Sequence, residues 1–120
     1  MSFRSLQLGA FGEQLACDYL VAKSYVILAR NSRIKRTEID IIARHKDTLV
    51  FCEVKTRSSN HHGLAIEAVT RAKLANMQTA ALEWLSFNRV RHGGIRFDVI
   101  GILMRPDSSH DLTHLVGVQL

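Results

Sequence analysis

Residues 37–57 decide the fold, because two strand patterns follow each other closely and the second ends in a charged motif. The patterns are Thr37-Glu38-Ile39-Asp40-Ile41-Ile42-Ala43, a turn near Lys46-Asp47, and Leu49-Val50-Phe51-Cys52-Glu53-Val54-Lys55, followed by Thr56-Arg57. Both are rich in β-branched and other apolar residues, which is typical of strands. Two strands joined by so short a turn pair as an antiparallel hairpin. This stretch therefore predicts a hairpin within a larger sheet.

Helical and strand patterns continue on both sides of this hairpin. They are a helical pattern over Gly9–Lys23, a strand over Tyr25–Ala29, a polar loop or strand edge over Arg30–Arg36, a long helical pattern over Leu64–Phe87, a strand over Arg96–Met104 and an edge strand over Leu112–Val118. The order α-β-β-β-α-β-β predicts an α/β fold in which a central mixed β-sheet is flanked by helices. A length of 120 residues predicts a single domain over 1–120.

A two-residue turn at Lys46-Asp47 would set the register of the hairpin. Facing residues then have numbers that sum to 93, which places Asp40 opposite Glu53 and Glu38 opposite Lys55. Directly opposed residues have Cβ atoms about 4.5–5.5 Å apart. Two carboxylates at that separation repel each other unless a positive charge lies between them, and Mg²⁺ prefers oxygen ligands of this kind. The register predicts a site for Mg²⁺ or Mn²⁺ between Asp40 and Glu53.

The same residues have the chemistry that phosphodiester hydrolysis needs. A divalent metal polarises a phosphate and lowers the pKa of its bound water, and an ammonium such as that of Lys55 stabilises developing negative charge. An alternative is a solvent-exposed strand pair held by a salt bridge, since open sheet faces often carry alternating charged residues. Spacing alone leaves both interpretations open.

Charge favours a polyanionic partner. The chain has 16 Lys and Arg residues against 11 Asp and Glu, a formal net charge of +5, and a basic balance of this kind favours nucleic acid. Candidate phosphate-binding residues are Arg30, Arg33, Lys35, Arg36, Arg57 and Lys73. A solvated basic surface explains the same residues equally well.

The remaining composition predicts a cytoplasmic protein that does not contact a membrane. No apolar run approaches the ~18 residues that a membrane span needs, and the N-terminal residues lack the apolar stretch of a signal peptide. Cys17 and Cys52 lie in apolar patterns without metal-binding spacing, so we expect two buried, reduced thiols.

Several motifs taken together resemble a known family. They are Gly12-Glu13-Gln14-Leu15-Ala16, Arg30-Asn31, Glu38-Ile39-Asp40, Val50 to Arg57, Ala68-Val69-Thr70 with Lys73, and Arg96-Phe97-Asp98-Val99. The set resembles the YraN-type family of uncharacterised bacterial proteins, which is similar to archaeal Holliday junction resolvases and to the wider PD-(D/E)xK nuclease superfamily. Two positions depart from the family pattern: Thr37 stands where Gly is usual, and Leu74 where Gln is frequent.

The resemblance implies a restriction-endonuclease-like core and a role for each site residue. Asp40, Glu53 and the Val54 carbonyl would bind the metal, Lys55 would be the catalytic lysine and Glu13 an auxiliary acid. The implied function is a metal-dependent endonuclease acting on structured or branched DNA, working as a homodimer. Two alternatives stay open: a non-catalytic nucleic-acid-binding module, and an adaptor that recruits another protein.

Overall fold

Five strands and two helices make up the part of the chain that the computed structural model describes, residues 3–58 and 70–119, with side chains from Gln7 onward. The elements are α1 Phe3–Ala22, β1 Val26–Ile34, β2 Thr37–His45, β3 Thr48–Ser58, α2 Arg71–Phe87, β4 Gly94–Met104 and β5 His110–Leu115. They form one sheet in the order β1-β2-β3-β4-β5, in which β3 and β4 are parallel and the other neighbours antiparallel. The predicted element order and the mixed sheet flanked by helices are confirmed.

The largest difference from the sequence prediction lies in β1. Its polar second half, predicted as a loop or strand edge, stays paired with β2 as far as Ile34 and Thr37. Backbone pairing needs no apolar side chains, so a run of charged residues can still form a strand. Asn31 has a φ of 50° inside this strand, a left-handed conformation that Asn adopts more readily than most residues.

The ends of three other elements also differ from the prediction. Helix α1 begins at Phe3 rather than Gly9, and β5 covers His110–Leu115 rather than 112–118. The predicted start of the second helix, 64–69, and the pair His61-His62 lie outside the described residues. Helix α2 follows Thr70, whose side-chain oxygen accepts a hydrogen bond from the Lys73 N–H at 3.1 Å. That is the usual N-cap arrangement.

Strand β3 is central and is covered on both faces. Val50, Cys52 and Val54 pack in the core that contains α1, whereas Leu49 and Phe51 pack in the core that contains α2. Alternate residues of a strand point to opposite faces, and a strand covered on both sides has a nearly continuous apolar sequence. By the same alternation Glu53 belongs to the α2 face.

Two expectations from composition can be compared with the structure. Cys17 and Cys52 are buried and free, as predicted. Neither helix of the described chain is long and apolar enough to cross a membrane.

A buried polar cluster ties β5 and the residues after it to the rest of the sheet. The Asp98 carboxylate is fully buried and accepts hydrogen bonds from Arg96 (two, at 2.9 Å), His114 Nε2 (2.7 Å) and the Gly117 N–H (3.0 Å). His114 Nδ1 lies 3.0 Å from the Tyr19 hydroxyl of α1. Arg96 and Asp98, two residues apart on β4, form an ion pair. Sequence reasoning missed His114, because only the β4–β5 pairing brings it near Asp98.

Close packing of α1 on β3 occurs at Gly12. A Cβ atom added to Gly12 would overlap the Thr56 side chain, with Thr56 Cβ 2.9 Å and Cγ2 3.0 Å away. Rotating the threonine brings no relief, because its own Cβ is one of the overlapping atoms. Gly12 therefore permits the close approach that holds the next residue, Glu13, above the sheet.

We expect Gly12→Ala to lower the free energy of unfolding by about 1–3 kcal/mol, the usual cost of inserting a methyl group into a packed contact. Gly9→Ala is the matched control, because it lies in the same helix and an added Cβ there meets nothing within 4 Å. Replacing a helical Gly by Ala at an open position stabilises by about 0.5–1 kcal/mol. Urea unfolding of both variants is the measurement, and equal responses would contradict the packing role of Gly12.

Candidate active site

The candidate site lies where β2 separates from β3. The ladder between these strands follows the predicted register, with numbers summing to 93, from His45–Thr48 to Ile41–Cys52, where it ends. The predicted backbone pairs Asp40–Glu53 and Glu38–Lys55 are therefore wrong. Beyond Ile41, β2 stays paired with β1, so Glu38 is opposite Arg33. In this part of β2, Ile39 packs in the core that contains α2. Its burial accounts for the separation of β2 from β3.

The separation leaves a gap that the Asp40 side chain bridges. Asp40 Oδ2 accepts a hydrogen bond from the Val54 N–H at 2.8 Å. A buried backbone N–H needs a partner, and here a carboxylate supplies what a facing strand would have supplied. This bond fixes the position of Asp40 next to the motif Glu53-Val54-Lys55.

Asp40 lies in strongly negative surroundings. Burial, followed by repulsion from the Glu53 carboxylate, raises the pKa of Asp40 to about 7, although the Val54 hydrogen bond opposes the shift. Glu13 and Glu38 raise it further. The four carboxylates are thus within electrostatic reach of one another, and without a nearby cation this repulsion and the burial shift Asp40 toward its neutral form.

Glu13 reaches this cluster from α1. Burial raises the pKa of Glu13, a contact with the Asn31 side chain opposes the shift, and the carboxylates of Glu38 and Glu53 add to it. The auxiliary acid expected from the sequence therefore lies within electrostatic range of the predicted metal-binding carboxylates.

Glu53 is the most enclosed acid of the cluster, with only 4% of its surface exposed. Its Oε1 lies 3.6 Å from Lys55 Nζ and 3.4 Å from Lys73 Nζ. Its Oε2 is buried and has no hydrogen-bond partner among the described residues. A buried, unpartnered carboxylate oxygen is costly, so this atom is a natural ligand for a cation.

A divalent cation would need a mixed donor set here. Across residues 3–58 and 70–119, no three Asp, Glu, His or Cys side chains lie close enough together to hold a metal ion on their own. The donor set that the family resemblance implies is of this mixed kind: two carboxylates, Asp40 and Glu53, and the Val54 carbonyl. Mg²⁺ is commonly bound by one or two carboxylates and keeps several waters, so this set suits it.

Lys73 occupies a place that sequence reasoning did not give it. It was expected among the phosphate-binding residues, but its ammonium reaches Glu53 from the first turn of α2. The sequence carried a usable signal: Thr70 is a favoured N-cap residue, and it places Lys73 in the first turn. What could not be read from the sequence is that this turn lies above Glu53.

The other predicted phosphate-binding residues do not form one unoccupied basic track. Arg33 lies 3.8 Å from Glu38, and Lys35 lies 2.9 Å from Glu83 of α2. Arg30 donates to the Gln14 side chain at 3.0 Å. Nucleic acid would have to compete for these side chains, although exposed ion pairs of this kind contribute only about 0–1 kcal/mol.

Arg36 and Arg57 differ from the other basic residues. Arg36 is exposed at the turn between β1 and β2. Arg57, two residues after Lys55, is half-buried, and its Nε has no hydrogen-bond partner within the described chain. Arg57 Nε is therefore an unused donor two residues after Lys55.

We expect Asp40→Asn to stabilise the metal-free protein at pH 8 by about 1–3 kcal/mol, since each unit of raised pKa corresponds to about 1.4 kcal/mol. The Asn side-chain oxygen can still accept from Val54 N–H, and one charge leaves the cluster. The gain should be absent below the ordinary Asp pKa of 3.8 and grow as the pH rises toward about 7. Thermal unfolding at several pH values measures it.

The control for this prediction is Asp18→Asn, which removes a charge from an exposed residue of α1. It should change the melting temperature little at any pH. Adding Mn²⁺ should raise the melting temperature of the wild type and of Asp18→Asn, because a ligand that binds the folded state stabilises it. An equal rise for Asp40→Asn would show that Asp40 does not bind the metal.

The fold and the site define an α/β protein whose mixed sheet carries clustered carboxylates and two lysines where two strands separate. The chain belongs to the uncharacterised protein family UPF0102, whose family model matches residues 12–102. This confirms the resemblance to YraN-type proteins.

Relatives in this family match most of the chain. A UPF0102 protein of Parafrankia sp. (strain EAN1pec) is 44% identical over 113 residues, which cover 94% of this chain and 96% of that protein. A UPF0102 protein of Geobacter metallireducens is 48% identical over 102 residues, covering 85% and 84%. Among solved structures, Pyrococcus furiosus SfsA in complex with Ca²⁺ has a TM-score of 0.40 and 15% identity, covering 98% of this chain and 65% of that one. A similarity of that size says nothing about activity.

Proposed function

We propose that this protein is a metal-dependent endonuclease of the PD-(D/E)xK type that cleaves phosphodiester bonds in structured or branched DNA. The observation that carries the proposal is the environment of Glu53. One of its oxygens is buried without a partner among the described residues, and the other lies near two lysine ammoniums. A cation on the first oxygen and a phosphate near the ammoniums would satisfy all of these groups.

Each residue of the cluster has a role in this proposal. Asp40, Glu53 and the Val54 carbonyl would hold Mg²⁺ or Mn²⁺, which when bound supplies a polarised phosphate and a more acidic water. The Lys55 ammonium, whose side chain is 36% exposed, would contact the scissile phosphate and stabilise its developing charge. Glu13 would accept a proton or a hydrogen bond from a water at the edge of the cluster.

The net charge and the basic residues around the cluster support a nucleic acid substrate. Arg36 precedes Asp40 by four residues and Arg57 follows Lys55 by two, and the ammoniums of Lys55 and Lys73 lie near Glu53. Lys and Arg contacts to phosphates supply most of the sequence-independent affinity for DNA. We propose on the same basis that the protein acts in the cytoplasm.

The decisive experiment is cleavage of labelled linear, flapped and four-way DNA substrates by purified protein in Mg²⁺, Mn²⁺ or EDTA. Glu53→Gln, prepared in parallel, is the control against a contaminating nuclease, because it keeps the size of the side chain and removes the charge. We expect metal-dependent cutting of the branched substrates by the wild type only. Equal cutting by both proteins would overturn the proposal.

Two other outcomes would favour the alternatives. Binding to branched DNA without cutting in any metal supports a non-catalytic nucleic-acid-binding module. Neither binding nor cutting supports an adaptor, and the exposed Leu82 and Phe87 on α2 would be its first candidate contacts, at 67% and 82% exposure.

Symmetric cutting of a four-way junction requires two sites, so we propose that the active form is a homodimer. Sedimentation of the protein alone and with a four-way substrate tests this. A complex with one protein copy per junction would contradict it.

A further inference from the structure

A groove runs between the β1–β2 turn and helix α2. Its volume is about 270 Å³, and Ile34 and Thr37 line it from the hairpin while Asn76, Thr79 and Ala80 line it from the helix. Lys35 of the turn and Glu83 of α2 also line it, and their side chains meet at 2.9 Å. The groove is thus bounded by an exposed ion pair that a ligand can displace at a cost of about 0–1 kcal/mol.

The groove is close to the acidic cluster along both of its walls. Thr37 comes three residues before Asp40 on the same strand, a separation of about 10 Å. Asn76 comes one helical turn after Lys73, about 4.5 Å farther along α2. A nucleic acid strand with a phosphate at Lys55 and Lys73 would therefore have a neighbouring nucleotide beside the groove.

The lining suits the mixed character of a nucleobase. Ile34 and Ala80 are apolar, whereas Asn76 and Thr79 are exposed polar residues. The Asn amide has both donors and an acceptor, and the Thr hydroxyl has one of each. A base has a flat apolar surface and an edge of donors and acceptors. The Watson–Crick part of that edge is free only when the base is unpaired.

The charges at the rim suit the sugar–phosphate backbone of the same nucleotide. Lys35 and Arg36 are exposed and carry positive charge beside the groove. Once Lys35 turns from Glu83 to a phosphate, Glu83 becomes an acceptor for the exocyclic amino group of a base. A ligand that lacks either an anionic group or a hydrogen-bond donor would not use both side chains.

We propose that this groove binds one unpaired nucleobase, a nucleotide or two away from the phosphate at the candidate active site. The inference rests on the proposed function for its choice of ligand, and it narrows the substrate to nucleic acid with an unpaired nucleotide beside the cut.

The test measures binding in EDTA, so that it does not depend on cleavage. The probe is a fluorescein-labelled DNA hairpin with a single-stranded overhang of about five nucleotides, in which each overhang base is replaced in turn by an abasic site. We expect one abasic position to weaken wild-type binding about tenfold, in the range that contacts to an unpaired base contribute. The double variant Asn76→Ala/Thr79→Ala should bind the intact probe about tenfold more weakly than the wild type does. The abasic site that weakens wild-type binding should cause no further loss of affinity in this variant.

Gln78→Ala is the matched control, because Gln78 is exposed on α2 and does not line the groove. It should keep both the wild-type affinity and the abasic effect. An abasic effect of equal size in the wild type and the double variant would overturn the proposal. So would the absence of any abasic effect, or of any binding. The same probe made as RNA shows which sugar is preferred.

The result is separable from the nuclease proposal. An abasic effect without metal-dependent cutting would support base binding in the groove and overturn the nuclease proposal. Metal-dependent cutting without an abasic effect would support the nuclease proposal and overturn base binding in the groove.

Discussion

Lys55→Ala should lower the rate of DNA cutting at least 100-fold while leaving affinity within about threefold of the wild type. Removal of one group that stabilises transition-state charge typically costs about 10²–10³ in rate. Binding should survive, since the main interaction of Lys55 develops only as the phosphate gains charge. The fold should survive too, because Lys73 remains 3.4 Å from Glu53 as a second positive partner.

The measurement is a single-turnover time course in Mg²⁺ beside a fluorescence-anisotropy titration in EDTA, both on the same four-way substrate. Lys23→Ala is the control, because Lys23 is an exposed lysine just after the end of α1, and it should cut at the wild-type rate. If Lys55→Ala cuts at the wild-type rate, Lys55 has no catalytic role. A parallel loss of affinity and rate would instead make Lys55 a binding residue.

Asp98→Ala should lower the free energy of unfolding by about 3–5 kcal/mol, the usual effect of removing one partner of a buried ion pair. Arg96, His114 and the Gly117 N–H would all lose their acceptor. A typical domain is stable by only about 5–15 kcal/mol, so the variant should unfold at far lower urea concentrations. Asp111→Ala is the control: its pair with Arg105 is exposed, and its removal should change stability by about 1 kcal/mol or less.

The stability that Asp98 contributes should depend on pH in a defined direction. Burial alone would raise the pKa of Asp98, but hydrogen bonds from His114, Arg96 and Gly117 outweigh it and lower the pKa. The contribution is therefore complete above the unfolded-state pKa of about 3.8 and is lost as the pH falls through the lower folded-state value. The wild type should lose stability between pH 4 and pH 2 more steeply than Asp98→Ala, and parallel urea midpoints over that range would contradict this.

The sequence predicted the architecture well because the apolar pattern of residues 37–57 determines the hairpin, and the two-residue turn at Lys46-Asp47 sets its register. The summed residue numbers hold for every pair from His45–Thr48 to Ile41–Cys52. The prediction failed at Asp40, because a strand pattern does not show where a ladder ends. The ladder ends there because β2 follows β1 and buries Ile39 in the α2 core, and that tertiary contact is invisible in local sequence.

The candidate site was predicted as a set of residues but not as an arrangement. The carboxylates are brought together by a side chain bridging two separated strands, rather than by the facing pairs that strand alternation suggested. The places of Lys73 and His114 depend on how α2 and β5 pack, so no local pattern could indicate them. Basic residues expected to bind phosphate were found in ion pairs, because charge counts do not show which acids lie nearby in the fold.

The hydrogen bond from Val54 to Asp40 also gives the protein a spectroscopic reporter at its candidate site. The chemical shift of an amide proton is sensitive to the charge of its acceptor, and its exchange with solvent is slow only while the bond persists. Because this acceptor is a side chain, the Val54 amide should respond to each change at the Asp40 carboxylate. One cross-peak in a two-dimensional NMR spectrum would then follow metal loading directly, without a substrate and without turnover.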